Sequence, residues 1–252
     1  MTTELSALYV RLVEQTARAS LDPRATLAVL AEGGRLVGGA CGAITCYLPP
    51  GTATVHTVGT SAELQSLAVD AAIWNEGPSV GTRLTGRSLL NLDMTTQPVR
   101  VRWPHWTPRA LNLKLAMVTA LPLMTGPLTE SSAVLQPAGA LVLLDSPDTC
   151  FDEDALTDLR DLARTASHLL SLQTELAHQR SLSGQLQHAL HSRVLIEQAK
   201  GILAARRHIT TDAAFALLRG HARSHGLKIA LVARAVIDNG GILPASHQPV
   251  DD

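Results

Sequence analysis

The chain has 252 residues, a formal charge of −1, 46% hydrophobic and 17% charged residues, and only 3% aromatics. That length suits one large domain or two modest ones, and the apolar content excludes wholesale disorder. No apolar run approaches the roughly 20 residues a membrane span needs, and so few rings argue against a protein that stacks bases on an aromatic sheet.

Residues Thr2 to Ala19 carry Leu5, Leu8, Leu12 and Val13 at helical spacing. Asp22-Pro23 predicts the start of a second helix, with Leu27, Val29 and Leu30 on its apolar side and Gly33-Gly34 as its end. The period then shortens. Ala40 to Leu48 reads as a strand, Pro49-Pro50-Gly51 as a turn, and Thr52 to Val58 alternates again. Ser61 to Trp74 predicts a helix, Arg87 to Leu92 a short strand, Thr107 to Leu113 a helix and Ala116 to Leu123 a strand. A loop from Gly126 to Pro137 leads to the wholly apolar strand Ala138 to Leu144. Interleaved strands and helices of this kind, with sheet pairs joined by a hairpin, predict an α/β or α+β domain of about 130 residues.

From Asp152 onward the pattern is helical. Leu159, Leu162, Ala166, Leu169 and Leu176, with Gln173 in the intervening slot, form a short heptad seam that predicts pairing with a second copy. The phase shifts near His178 to Ser181 and resumes at Leu182, Leu186, Ala189 and Leu190. Three helical segments follow: Leu186 to Arg206, Thr211 to His225 and Lys228 to Asp238, the last ended by Gly240-Gly241. The expected organisation is a sensor-like domain over 1–150, a connecting coiled-coil helix over 151–185, a three-helix domain over 186–243 and a tail over 244–252.

Charge separates these parts. Leu186 to Val236 has a net charge of +6 and the remainder −7. A basic module on an acidic partner fits a polyanion-binding output, and equally a helical domain with a solvated basic surface. Enzyme signatures are missing: the chain has no GxSxG, Walker A, GxGxxG or HExxH pattern, so catalysis and a cofactor are not expected. Asp152, Glu153, Asp154, Asp158 and Asp161 open the long helix, where acids suit the helix dipole better than a metal role. Cys41, Cys46 and Cys150 lack metal-ligand spacing, and Glu4, Arg11 and Glu14 interrupt any secretory leader. A cytoplasmic protein is expected.

In the basic module, Leu195, Ile196, Ala199, Ile202 and Leu203 make one apolar face, with Ala199 and Gly201 keeping the helix thin, and Arg193, Glu197 and Lys200 lie opposite. Ala214, Phe215, Leu218 and Ala222 form the expected core stripe of the next helix, beside Arg219 and Arg223. Ile229, Val232, Ala233 and Val236 point inward from the last, with Lys228 at its entrance. The candidate polyanion-binding residues are Arg193, Gln198, Lys200, Arg206, Arg207, Arg219, Arg223 and Lys228.

The run Ser192-Arg193-Val194-Leu195-Ile196-Glu197-Gln198-Ala199-Lys200-Gly201-Ile202-Leu203 resembles the opening helix of the ANTAR domain. Ala213 to Arg219 with Ala222-Arg223 resembles its second helix, and Lys228 to Val236 its third. The resemblance implies an RNA-binding transcription antiterminator that grips paired stem-loops as a homodimer. The preceding region is similar to a GAF sensor domain of the kind fused to ANTAR in actinobacterial proteins. It shares Glu76-Gly77-Pro78, Asn91-Leu92-Asp93, Arg102-Trp103-Pro104, Leu121-Pro122-Leu123 and Gly139 to Leu144, then Phe151-Asp152 before a long helix. Ser79 stands where related sequences often have cysteine, which argues against thiol chemistry there. A small-molecule ligand of the GAF-like domain stays open. Two rival functions remain: a DNA-binding regulator, and a signalling adaptor docking a protein partner.

Overall fold

In a computed structural model, which describes residues 7, 10–14, 22–126 and 135–244, the chain divides into two units, residues 1–178 and 179–252. The first unit is built on a five-stranded antiparallel sheet of order β2-β1-β5-β4-β3. Its strands are β1 (Gly42–Tyr47), β2 (His56–Gly59), β3 (Leu89–Asp93), β4 (Met117–Thr125) and β5 (Gln136–Asp145). The strand β5 pairs with β1 from Gly42↔Leu144 to Tyr47↔Gly139, and with β4 from Met117↔Asp145 onward.

Helices cover both faces, which is why β1 is buried along its whole length and β5 from Ala138 onward, instead of alternating. Leu141 and Leu143 point to one side, into a core with α1 (Arg24–Gly38) and the start of α6 (Glu153–Arg207). Ala140, Val142 and Leu144 point to the other. There they meet α2 (Ala62–Trp74), α3 (Pro78–Thr85), α4 (Gln97–Arg102) and α5 (Trp106–Asn112). Each buried leucine contributes about 1.5–3 kcal/mol over its exposed state.

The GAF-like motifs hold this frame together. Glu76 accepts hydrogen bonds from the backbone N–H of His105 and of Trp106, at 3.0 and 3.3 Å, and its other oxygen lies 2.7 Å from His105 Nδ1. Burial pushes its carboxyl up, but those bonds outweigh burial and leave it below the usual carboxylate range. Gly77 has φ +96°, and a Cβ there would sit 3.1 Å from the Trp106 ring, so glycine alone fits. Pro78 then opens α3. Asn91 clamps the chain end of the sheet: its Nδ2 donates to the Phe151 carbonyl and its Oδ1 accepts from the Phe151 N–H, both at 3.0 Å. Trp103 meets Trp106 edge-on at 5.9 Å, beneath Arg102 at 5.1 Å.

Several expectations are corrected. Gly33 and Gly34 do not end α1; they are buried inside it, and a Cβ on Gly34 would lie 3.0 Å from Leu141. Close packing on the sheet overrides a glycine cost of about 1 kcal/mol. The helix stops instead at Gly39, in the left-handed conformation. Pro23, not Asp22, occupies the N-cap, while Asp22 Oδ1 accepts from Arg24 N at 3.0 Å. The helices α3 and α4, eight and six residues long, are not among the expected elements, although each has a proline in its first turn. Of the N-terminal helix, residues 7 and 10–14 are helical and Leu12 is buried; the others lie outside the described residues, as do 127–134 of the predicted loop and the last residues of the tail.

The heptad seam divides in two. Leu159, Leu162 and Ala166 are fully buried in the first unit's own core, so they face its sheet instead of a second chain. Gln173 is buried too, 3.4 Å from the Thr26 hydroxyl. Leu172, Leu176, Leu182, Leu186 and Leu190 stay exposed. No helix among the described residues is long and apolar enough to cross a membrane.

Candidate nucleic-acid interface

The second unit is a three-helix module made of the C-terminal part of α6, α7 (Thr211–Ser224) and α8 (Ile229–Asp238). Its core is small. Ala199 and Leu203 meet Ala214, Leu218 and Ala222 of α7, and Val232, Ala233 and Val236 of α8. Leu195, Ile196 and Ile229 pack around them half-buried. All three helices end the same way, on a left-handed residue followed by an N–H that reaches back five residues. His208 precedes Ile209 N to Ala204 O at 3.1 Å, Gly226 precedes Leu227 N to Ala222 O at 2.9 Å, and Gly240 precedes Gly241 N to Val236 O at 2.8 Å. Thr210 caps α7, its hydroxyl accepting from Ala213 N at 3.2 Å.

The candidate residues fall into two groups. Arg193, Gln198, Arg207, Arg219, Arg223 and Lys228 are exposed, and among the described residues none of the five cations forms an ion pair. Arg219 and Arg223 lie one turn apart on α7. The other two cations are engaged within the module. Lys200 sits 2.9 Å from Glu197 and 5.6 Å from the Phe215 ring centre, with its side chain only 17% exposed. Arg206 donates to the Gly240 carbonyl, tying the end of α6 to the end of α8.

Two further expectations change. Phe215 is not a core residue: it is 36% exposed on α7, because Ala214 and Leu218 already fill the narrow contact. Gly201 faces open space and so does not thin a helix contact. The sequence also passed over Arg234, exposed on α8 and outside the candidate set. Lys228 is the N-cap residue of α8, whose remaining exposed cation is Arg234.

Histidines mark the end of α7. The rings of His221 and His225 stack at 4.1 Å, with His225 Nδ1 2.9 Å from the His221 carbonyl oxygen. Burial first, and the neighbouring His225 second, hold His221 below the usual histidine value. Among the described residues no group of three or more His, Cys, Asp or Glu is placed to hold a metal ion.

No curated protein matches the chain. Solved structures similar to it include an N-acylhomoserine lactone dependent LuxR family transcription factor, CepR2 from Burkholderia cenocepacia. That pair shares 15% identity at TM-score 0.44, over 69% of this chain and 97% of the other. The GAF domain of an Acinetobacter phosphoenolpyruvate-protein phosphotransferase shares 13% identity at TM-score 0.44, over 66% and 91%. The GAF domain of the cyanobacteriochrome TePixJ shares 14% identity at TM-score 0.39, over 62% and 96%. One family is matched by sequence, and its span covers the C-terminal helices described above: residues 184–237 match the ANTAR domain.

Proposed function

We propose that the protein is an RNA-binding transcription antitermination regulator. In this reading residues 186–243 bind paired stem-loops in nascent RNA as a homodimer, and the GAF-like region over 1–150 controls them through the helix of 151–185. The match of residues 184–237 to the ANTAR domain carries the proposal. Exposed, unpaired Arg193, Arg207, Arg219, Arg223 and Lys228 support it, since guanidinium and ammonium groups with no internal carboxylate are free to meet phosphate and base edges. Gln198, exposed as well, adds a neutral donor and acceptor.

The exposed ring of Phe215 adds what composition alone denied to this module, one flat apolar surface on which an unstacked loop base can rest. A major-groove DNA reader is less well supported. Its recognition helix needs several polar side chains along one face, and α8 offers Lys228 and Arg234 around an apolar run. The test is a gel-shift titration of the full chain with a tandem stem-loop RNA, a single stem-loop and a duplex DNA of equal charge. The tandem RNA should bind tightest and lose affinity markedly when one loop is removed. Equal affinity for the duplex, or indifference to the second loop, overturns the proposal.

A further inference from the structure

The first unit contains a cavity of about 370 Å³ between α6 and the outer part of the sheet. Its origin is local. At the bulge between Leu123 and Met124 the β4 backbone leaves its register, and Met124 N donates to Ser167 Oγ at 3.0 Å instead of to a strand. The Ser167 hydroxyl in turn donates to the Ala163 carbonyl at 2.7 Å. Ala163, Ser167 and Ser171 thus face the sheet as a row of short side chains one turn apart, and leave a void over Leu121 and Met124.

A second row on α6 runs along the mouth of this void: Arg160, Arg164 and His168, again one turn apart. Arg160 is held only at 3.6 Å from an exposed Glu153, and Arg164 pairs with Asp161 on the surface; neither carboxylate lines the cavity. An apolar floor under a cationic rim, within a unit whose chain is acidic overall, selects one kind of guest. The volume lies in the small-molecule range of roughly 300–1,000 Å³ and is too narrow for a helix about 10–12 Å across.

We infer that this cavity is a binding site for a small organic anion, a carboxylate or sulfonate on an aromatic or medium-length aliphatic body. The body lies on Leu121 and Met124, and Arg160 and Arg164 receive the anion through charge-assisted hydrogen bonds. The inference does not depend on the RNA-binding proposal, and its test uses no RNA.

The test is a fluorescence titration of the full chain with 1-anilinonaphthalene-8-sulfonate, which has both features, followed by competition with octanoate and with octanol. One probe per chain should bind, and octanoate should displace it at least about tenfold more effectively than octanol. Joint Arg160→Gln and Arg164→Gln should weaken the probe about tenfold or more with unchanged melting. Ser167→Leu fills the void and should abolish binding. Should that variant fail to fold, Ser88→Trp at the exposed mouth decides, and it too should abolish binding. No binding by the parent, equal competition by octanol, or parental affinity in Ser88→Trp overturns the inference. So does a change in self-association by Ser88→Trp in sedimentation, which would mean that a second copy covers the cavity.

Discussion

The ammonium of Lys200 stands 5.6 Å from the centre of the Phe215 ring, joining a residue of α6 to one of α7 on the outside of the three-helix module. Glu197 closes the arrangement from one turn earlier, 2.9 Å from the same ammonium. A cation held between a carboxylate and a ring is positioned for that ring before it is available to phosphate. Under the proposed RNA-binding function, the part of this cluster left to meet a base is the exposed part of the Phe215 ring. Phe215→Ala is expected to weaken stem-loop RNA by about 1–3 kcal/mol, the worth of one base stacked on an aromatic side chain. The melting temperature should fall less than for a core deletion such as Leu218→Ala, which is expected to cost about 2–5 kcal/mol. Gel shift and circular dichroism on both variants check the contrast.

Arg219 and Arg206 should behave oppositely. The first is exposed and unpaired, the second bonded to the Gly240 carbonyl. Arg219→Ala with Arg223→Ala should leave melting unchanged and flatten the salt dependence of RNA binding by about 0.7 per lost phosphate contact. Arg206→Ala should lower the melting temperature first, since it frees a carbonyl that closes α8. Affinity measured across a salt series, beside thermal melts, separates the two.

The long helix should divide into a folding part and an associating part. Leu159→Ala and Leu162→Ala remove fully buried side chains from the first unit, each at about 2–5 kcal/mol, and should not change self-association. Leu182→Ala, Leu186→Ala and Leu190→Ala together remove an exposed stripe at four-residue spacing and should shift a dimer toward monomer with little change in melting. Sedimentation velocity of both sets is the measurement.

Acid should weaken the second unit through His221. Its folded value lies below the ordinary 6.5, mainly through burial and then through His225, so the unfolded chain takes up the proton more readily. Its contribution to stability is present above about 6.5 and falls away as pH drops below it. Thermal melts between neutral pH and about pH 5.5 should show a decline that His221→Gln flattens.

Thiol reactivity should single out Cys46. Burial pushes its thiol up to about 11, whereas Cys41 and Cys150 are exposed. Cys41 is also raised, first by its hydrogen bond to Asp145. Thiol titration of the native chain should label Cys150 fastest and Cys41 more slowly, and reach Cys46 only on unfolding.

Local chemistry was legible from the residues alone. Ser61 caps the helix it was expected to open, and the apolar periods of α6, α7 and α8 place Ala199, Leu218 and Val232 in the core. Such features depend on neighbours within four residues along the chain, so a sequence holds them in full. The wholly apolar run Ala138 to Leu144 likewise marked a strand, which is the core of β5. What lay beyond reach depends on partners distant in sequence. Gly33-Gly34 is a stop signal by itself and a packing surface once Leu141 lies against it. Leu159 and Leu176 share one heptad seam, yet the sheet buries the first and leaves the second exposed. Phe215 and Ala214 adjoin in the chain, and the close approach of thin helices left room inside for the alanine and pushed the ring to the surface. Periodicity tells which residues share a stripe. Only the folded chain decides which element reaches that stripe first, because burial goes to the side chains that fit the space the neighbours leave.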